Sequence, residues 1–261
     1  MSIKLFATDL DGTLLKSNHQ PPEEFFDWVK RHPEIRPVIA SGRQYQTLVS
    51  MFGELGDRMI YCSDNGGFIF HKGEKLYSNP LRKNDIYHAI RYMGSIPDTC
   101  LVLSGAKTCY SDKTDEETLS DVSMYFTSFE VVDDLNSVVD KDEIVKISIY
   151  DKRHNAASLI QYLPDLGKHI ERVLSEKSWV DIQNVTTSKG TALKHLQDEY
   201  DISPEECICF GDYLNDYTMM KSCHFSVAMA NAHPKLKEIA DYQTTTNDCQ
   251  GVVSMLSLMT E

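Results

Sequence analysis

The sequence predicts an α/β fold: a parallel sheet core interrupted by an inserted α+β domain. Three observations predict it. Short apolar runs alternate with helix-length segments at both ends of the chain, which is the rhythm of a parallel sheet. That rhythm breaks in the middle third, where hairpin-like pairs take over. Several of the apolar runs end in polar clusters, as strands do when their carboxyl ends line a ligand site.

The elements follow in order. Ile3 to Ala7 reads as a short buried strand. Pro21-Pro22-Glu23-Glu24 opens a helix carrying Phe25, Phe26 and Val29; prolines and acids suit a helix start. A second strand, Ile35 to Ala40, ends in Ser41-Gly42-Arg43 and precedes a helix to about Leu55. A third, Arg58 to Cys62, ends in Ser63-Asp64-Asn65-Gly66-Gly67. Phe68 to His71 and Lys75 to Tyr77 then flank Lys72-Gly73-Glu74 as a hairpin. Helices are expected over 85–93, 116–126 and 156–163, and strands over 100–103, 108–111, 143–150 and 179–183. These antiparallel-looking elements define the insert, 81–183, between core segments 1–80 and 184–261. The alternating rhythm resumes with a helix from Thr191 to Tyr200 and a strand from Cys207 to Phe210. A helix over 216–223, a strand over 225–229 and helices over 234–240 and 252–259 complete the chain.

Composition narrows the function. At 261 residues the chain suits one large domain or two small ones. The net charge of −13 argues against nucleic acid or an anionic membrane as partner, since both need clustered Lys and Arg. The insert is itself acidic, with 12 Lys and Arg against 18 Asp and Glu, which does not suit a long polyanionic substrate. Seven scattered cysteines without a CxxC pair argue against zinc and read as buried reduced thiols. The chain opens on a core strand with no signal peptide, and no run of 18 apolar residues occurs, so a cytoplasmic protein is expected.

The chemistry is concentrated in Thr8-Asp9-Leu10-Asp11-Gly12-Thr13. Two carboxylates at the tip of a buried strand are costly unless neutralised. Hard oxygen ligands point to a divalent cation, magnesium. A carboxylate on the metal with another beside it suggests a nucleophile and a general acid. The plain alternative is an Asp-Gly turn after a strand. Three other strand ends are polar as well: Ser41-Gly42-Arg43, Asp64-Asn65-Gly66 and Gly211-Asp212 with Asn215-Asp216. If these strands are neighbours, the tips converge on one pocket. Each cluster also has a bland reading: a turn at Ser41-Gly42, a helix-start salt bridge for Arg43, helix caps for Asp212 and Asp216. Lys189 stands at a helix start, where the dipole disfavours a cation. His71, His88, His154 and His169 have no ligand-like spacing.

Asp9-Leu10-Asp11-Gly12-Thr13, Ser41-Gly42-Arg43, Lys189-Gly190 and Gly211-Asp212-Tyr213-Leu214-Asn215-Asp216 resemble, in order and spacing, the four motifs of the haloacid dehalogenase superfamily. Asn65-Gly66, Ala228-Met229-Ala230-Asn231-Ala232, Asn247-Asp248 and Gly251-Val252 are similar to its Cof-type phosphatases. Asp64 stands where a Glu is more usual in that group, and Ala230 where a Gly is. The resemblance implies a Rossmann-like parallel sheet core with an inserted α+β cap domain. It implies that Asp9 attacks phosphorus, and that Asp11 protonates the leaving alcohol and later deprotonates water, its side chain free to reach the leaving group. Mg2+ would be held by Asp9, Asp212 and the backbone carbonyl of Asp11, with Thr13 and Asp216 supporting those ligands. Ser41, Gly42, Arg43, Lys189 and Asn215 would bind the phosphoryl group, Asn215 also orienting Lys189. The implied activity is hydrolysis of a small phosphorylated metabolite, a sugar phosphate. A phosphomannomutase-type sugar phosphomutase shares the nucleophile pair and a similar cap. A non-catalytic module that kept the fold is the third reading; the intact Asp9, Asp11, Lys189 and Asp212 set weighs against it.

Overall fold

Strand β1 (Leu5–Thr8) is buried along its whole length, as its apolar run requires. The computed structural model describes residues 3–113 and 115–260. Helix α1 (Glu23–Arg31) carries acids in its first turn and bases in its last, matching the helix dipole, and buries Phe25, Trp28 and Val29 at helical spacing. Strand β2 (Arg36–Ala40) leads to α2 (Tyr45–Phe52), which stops short of the expected Leu55 because Gly53 follows. Strands β3 (Ile60–Ser63), β4 (Phe68–His71) and β5 (Glu74–Ser78) complete the first arm.

The chain then forms a separate unit. It contains α3 (Lys83–Met93), β6 (Thr99–Gly105), β7 (Cys109–Ser111), α4 (Glu116–Ser123), β8 (Phe129–Val131), β9 (Ile144–Asp151), α5 (Ala156–Tyr162), β10 (Ile170–Glu176) and β11 (Trp179–Asn184). Its sheet runs β10-β11-β9-β6-β7-β8, antiparallel except for β7 with β8. Ile86, Ala89 and Met93 of α3 and Ala156 and Leu159 of α5 pack on Leu101, Leu103, Ile147, Ile149, Val180 and Ile182 of the sheet. Strand alternation gives the opposite parity to Ser148 and Asp181, buried and hydrogen-bonded at 2.6 Å.

The second arm holds α6 (Lys189–Tyr200), β12 (Cys207–Gly211), α7 (Tyr217–Met220), β13 (Phe225–Ala228), α8 (Pro234–Ile239), β14 (Tyr242–Gln243) and α9 (Gly251–Thr260). The two arms build one sheet in the order β14-β13-β12-β1-β2-β3-β4-β5. The six strands from β14 to β3 are parallel; β4 is antiparallel to β3. Thr8 is level with Phe210 on one side and Ile39 on the other, so β1, β2 and β12 end side by side. Phe6, Phe25 and Trp28 meet edge to face beneath that rim, with ring centroids 5.9 and 5.3 Å from Phe6.

The two compact units are Met1–Tyr77 with Ser188–Glu261, and Ser78–Thr187. Their junctions fall a few residues outside the 81–183 span where the sequence rhythm changes. Strands β8, β10 and β14 lie beyond the sequence expectation. The helix expected over 116–126 ends at Ser123, and that over 216–223 covers only Tyr217–Met220. All seven cysteines are free; six are buried as expected, but Cys249 is exposed.

Candidate active site

Asp9 follows β1 directly, and its N–H continues the ladder to the Phe210 carbonyl at 3.1 Å. The residue is 6% exposed. Lys189 begins α6, whose N-cap Ser188 accepts the Thr191 N–H at 3.1 Å. The Lys189 ammonium is fully buried and donates to Asp9 Oδ1 at 2.5 Å and to Asp216 Oδ1 at 2.7 Å. Those two carboxylates supply what the helix start withholds. Asp216 Oδ2 accepts the N–H groups of Asp212 and Tyr213 at 3.0 and 3.2 Å. Asp216 is therefore a cap, as the bland reading held, and also the anchor of Lys189.

Asp212 stands beside Asp9 at the tip of β12. Thr13 Oγ1 donates to its Oδ1 at 3.1 Å, and its carbonyl accepts the His233 N–H at 2.7 Å. Carboxylate oxygens of Asp9, Asp212 and Asp216 all lie within 4.8 Å of one another. Gly12 has φ +80°, and a Cβ there would collide with the Asp212 carboxylate, so the turn needs glycine.

The electrostatics follow from this crowding. Burial pushes Asp9 up to about 8, with Asp216 and Asp212 adding to the rise while Lys189 opposes it. Burial and then Asp216 push Asp212 up to about 6. Burial alone would depress the Lys189 ammonium, but Asp216 and Asp9 outweigh it and hold it above its ordinary value. Three carboxylates face one ammonium, and two of the carboxyls must share a proton or a cation. An all-oxygen donor set with excess negative charge fits magnesium. Asp216 has spent its oxygens on Lys189 and backbone N–H groups, which leaves Asp9 and Asp212 as the side chains suited to the ion.

Asp11 lies outside this buried cluster, its side chain half exposed. Arg43 at the tip of β2 grips it with Nε at 2.9 Å and Nη2 at 2.6 Å. His19 Nδ1 stands 3.9 Å from the same carboxylate. The Asp11 side chain is thus held by Arg43, the residue expected at the phosphoryl group. Ser41 is buried; its N–H donates to the Cys62 carbonyl at 2.9 Å and its Oγ accepts the Arg43 N–H at 3.2 Å. Asn215, expected to orient Lys189, donates instead to Asn65 Oδ1 at 3.2 Å; Asp216 takes the lysine because it lies one residue nearer α7 and points inward. Gly42 lies against the Asn65 carboxamide.

Two contributors were not anticipated. Asn231 Nδ2 donates to the Gly12 carbonyl at 2.7 Å and so fastens the turn carrying Asp11. Asn65 joins the Gly42 and Asn215 loops. Both lie in runs noted in the sequence without a role.

The family profile of the haloacid dehalogenase-like hydrolases matches residues 6–256. The chain belongs to that family and is a hydrolase of its class. It is 27% identical to the 5-amino-6-(5-phospho-D-ribitylamino)uracil phosphatase YbjI of Escherichia coli, over 98% of this chain and 96% of the relative. It is 28% identical to the phosphatase YwpJ of Bacillus subtilis, over 97% and 99% of the two chains. A crystal structure from Streptococcus mutans superposes with a TM-score of 0.84 at 27% identity, covering 98% of each chain.

Proposed function

We propose that the chain is a cytoplasmic, magnesium-dependent phosphatase of small phosphate monoesters, phosphorylated sugars or sugar alcohols, working through an aspartyl phosphate on Asp9. The observation that carries this reading is the buried Asp9–Lys189–Asp216 chain with Asp212 alongside, set beside a half-exposed Asp11. Asp9 and Asp212, with the Asp11 carbonyl, would hold the ion, and Thr13 and Asp216 keep those ligands in place. Bound magnesium would offset carboxylate charge and polarise the phosphoryl oxygens.

The residues divide the work. An oxygen of Asp9 attacks phosphorus and forms the acyl phosphate as the ester P–O bond breaks. With the Arg43 fork released from one oxygen, Asp11 takes up a proton from solvent and gives it to the departing alkoxide, then takes one from the water that attacks the acyl phosphate, releasing phosphate and restoring Asp9. The Ser41 hydroxyl, the Gly42 N–H and Lys189 meet the phosphoryl charge. Arg43 orients Asp11, and Asn215 borders the phosphoryl group. The unit Ser78–Thr187 serves as a cap that selects the alcohol half of the ester. The sugar-alcohol assignment draws on the phosphoribityl substrate in the name of the Escherichia coli relative, a name shared by the Bacillus subtilis phosphatase YitU, 26% identical. Free thiols accord with a reducing compartment.

The test is phosphate release from a panel of sugar phosphates, sugar-alcohol phosphates and 5-amino-6-(5-phospho-D-ribitylamino)uracil, with magnesium and with chelator. Release that needs magnesium and favours one of these classes is expected. Activity untouched by exhaustive chelation would remove the metal, and isomerised product without free phosphate would make the protein a mutase.

A further inference from the structure

The turn after β3 has a backbone that its neighbours dictate. Asp64, Asn65 and Gly66 have φ of +50°, +56° and +93°. Left-handed backbone costs a side-chain-bearing residue about 1–2 kcal/mol, so two such residues in succession need outside support. That support comes from the loop after β2: the Asp64 N–H donates to the Arg43 carbonyl at 3.0 Å and the Asn65 N–H to the Ser41 carbonyl at 2.9 Å. Gly66 presses on the start of α6, where a Cβ would strike the Ser188 carbonyl beside Lys189. The Asn65 side chain reaches two further places. Its Oδ1 accepts the Asn215 amide at 3.2 Å, and a Cβ on Gly42 would lie 3.3 Å from both Asn65 Nδ2 and Oδ1. One turn therefore touches the loops that carry Ser41 and Gly42, Lys189, and Asn215.

Backbone and side chain make separate demands at position 65. Asparagine tolerates left-handed backbone, and glycine tolerates it better. If the conformation were the whole requirement, glycine would serve. The carboxamide does something glycine cannot: it accepts the Asn215 amide and fills the space beside the Gly42 Cα. We propose that Asn65 is a positioning residue of the phosphoryl-binding site, its carboxamide setting Asn215 and the Gly42 N–H in register for the phosphoryl oxygens. The proposal rests on the phosphatase reading above.

The test compares Asn65→Gly, Asn215→Ala and the double variant with the parent. Magnesium-dependent turnover of nitrophenyl phosphate is followed, together with the rise in Tm caused by inorganic phosphate in the presence of magnesium. Asn65→Gly is expected to melt within a few degrees of the parent and to keep its magnesium requirement, since Asp9 and Asp212 are untouched. It should lose kcat/KM by about 10- to 100-fold, the scale of a misplaced site, and need more phosphate for the same rise in Tm. Asn215→Ala should weaken phosphate in the same way, and the double variant should be no worse than the poorer single one. Parent-like turnover and phosphate response in Asn65→Gly, or full additivity in the double variant, would overturn the proposal. If Asn65→Gly does not fold, Asn215→Ala decides alone, because it removes the same hydrogen bond: an unchanged phosphate response sinks the idea. A parent protein with no magnesium-dependent phosphate release would instead overturn the phosphatase reading.

Discussion

Arg43 grips both carboxylate oxygens of Asp11, Nε at 2.9 Å and Nη2 at 2.6 Å. The fork fixes the plane of the carboxylate as well as its position. Lysine offers a point charge and no fork. Arg43→Lys should therefore lower kcat more than it raises KM, by about 10-fold or more, the scale of a misaligned acid–base carboxylate. Steady-state kinetics on a sugar phosphate measure this; an unchanged kcat would show that the fork is dispensable.

Asp11→Asn should separate two leaving groups. The loss should reach about 10²–10⁴-fold with a sugar phosphate, whose alkoxide needs a proton. Nitrophenyl phosphate should lose less in its first step, since phenolate leaves unaided. Water attack then lacks its base, so rapid quench should show a burst of phenolate followed by slow release. Equal first-step losses without a burst would take the acid–base role away from Asp11.

Asp9→Asn should abolish turnover, because an amide neither accepts the phosphoryl group usefully nor binds magnesium as an anion. Asp212→Ala should raise the magnesium concentration needed for half-maximal rate, since one carboxylate is gone while Asp9 remains. Magnesium titration of each variant checks both; measurable turnover by Asp9→Asn would point to another nucleophile.

Burial raises Asp9 from its ordinary 3.8 to about 8 in the folded, metal-free protein. Between those values the folded protein keeps a proton that the unfolded chain releases, so stability falls as pH rises from about 4 to about 8. In chelator the Tm should drop across that window, less so in Asp9→Asn. Magnesium should restore the wild type most at the alkaline end. A magnesium-induced rise in Tm that is greatest near pH 5 would contradict the assignment.

Gly12→Ala combines two penalties. Alanine at φ +80° costs about 1–2 kcal/mol, and its Cβ would enter the space of the Asp212 carboxylate. The variant should melt lower than the parent and demand more magnesium. Parent-like values for both would mean that the turn can rearrange.

The strand tips were more legible in the sequence than the edges of the sheets. Asp9, Asp212 and Asp216 could be set at one end of the sheet because they follow short apolar runs, and such runs are legible wherever both faces of a strand are buried; Lys189, at a helix start, was joined to them only by the family resemblance. The strands that went unseen, β8, β10 and β14, are all sheet edges. Ile-Glu-Arg-Val-Leu-Ser-Glu in β10 shows no clean alternation, because a half-solvated edge does not impose one. What each polar side chain holds was also hidden. Nothing local to Arg43 announces Asp11, 32 residues away, or tells Asn215 to choose Asn65 over Lys189. Such pairings depend on how the strand tips register.

The placement of β1 between β2 and β12 has a consequence for the protein's birth. A ribosome delivers β1 to β5 first, then the whole of Ser78–Thr187, and only afterwards α6 and β12. At roughly 5–20 residues per second, the interval is on the order of ten seconds. Throughout it one edge of β1 is unpaired, and Asp9 has neither its lysine nor its acidic neighbours. The Asp9–Lys189–Asp216 cluster is complete only once Asp216 has emerged. Until then it exposes an apolar strand edge of the kind that aggregates or recruits chaperones.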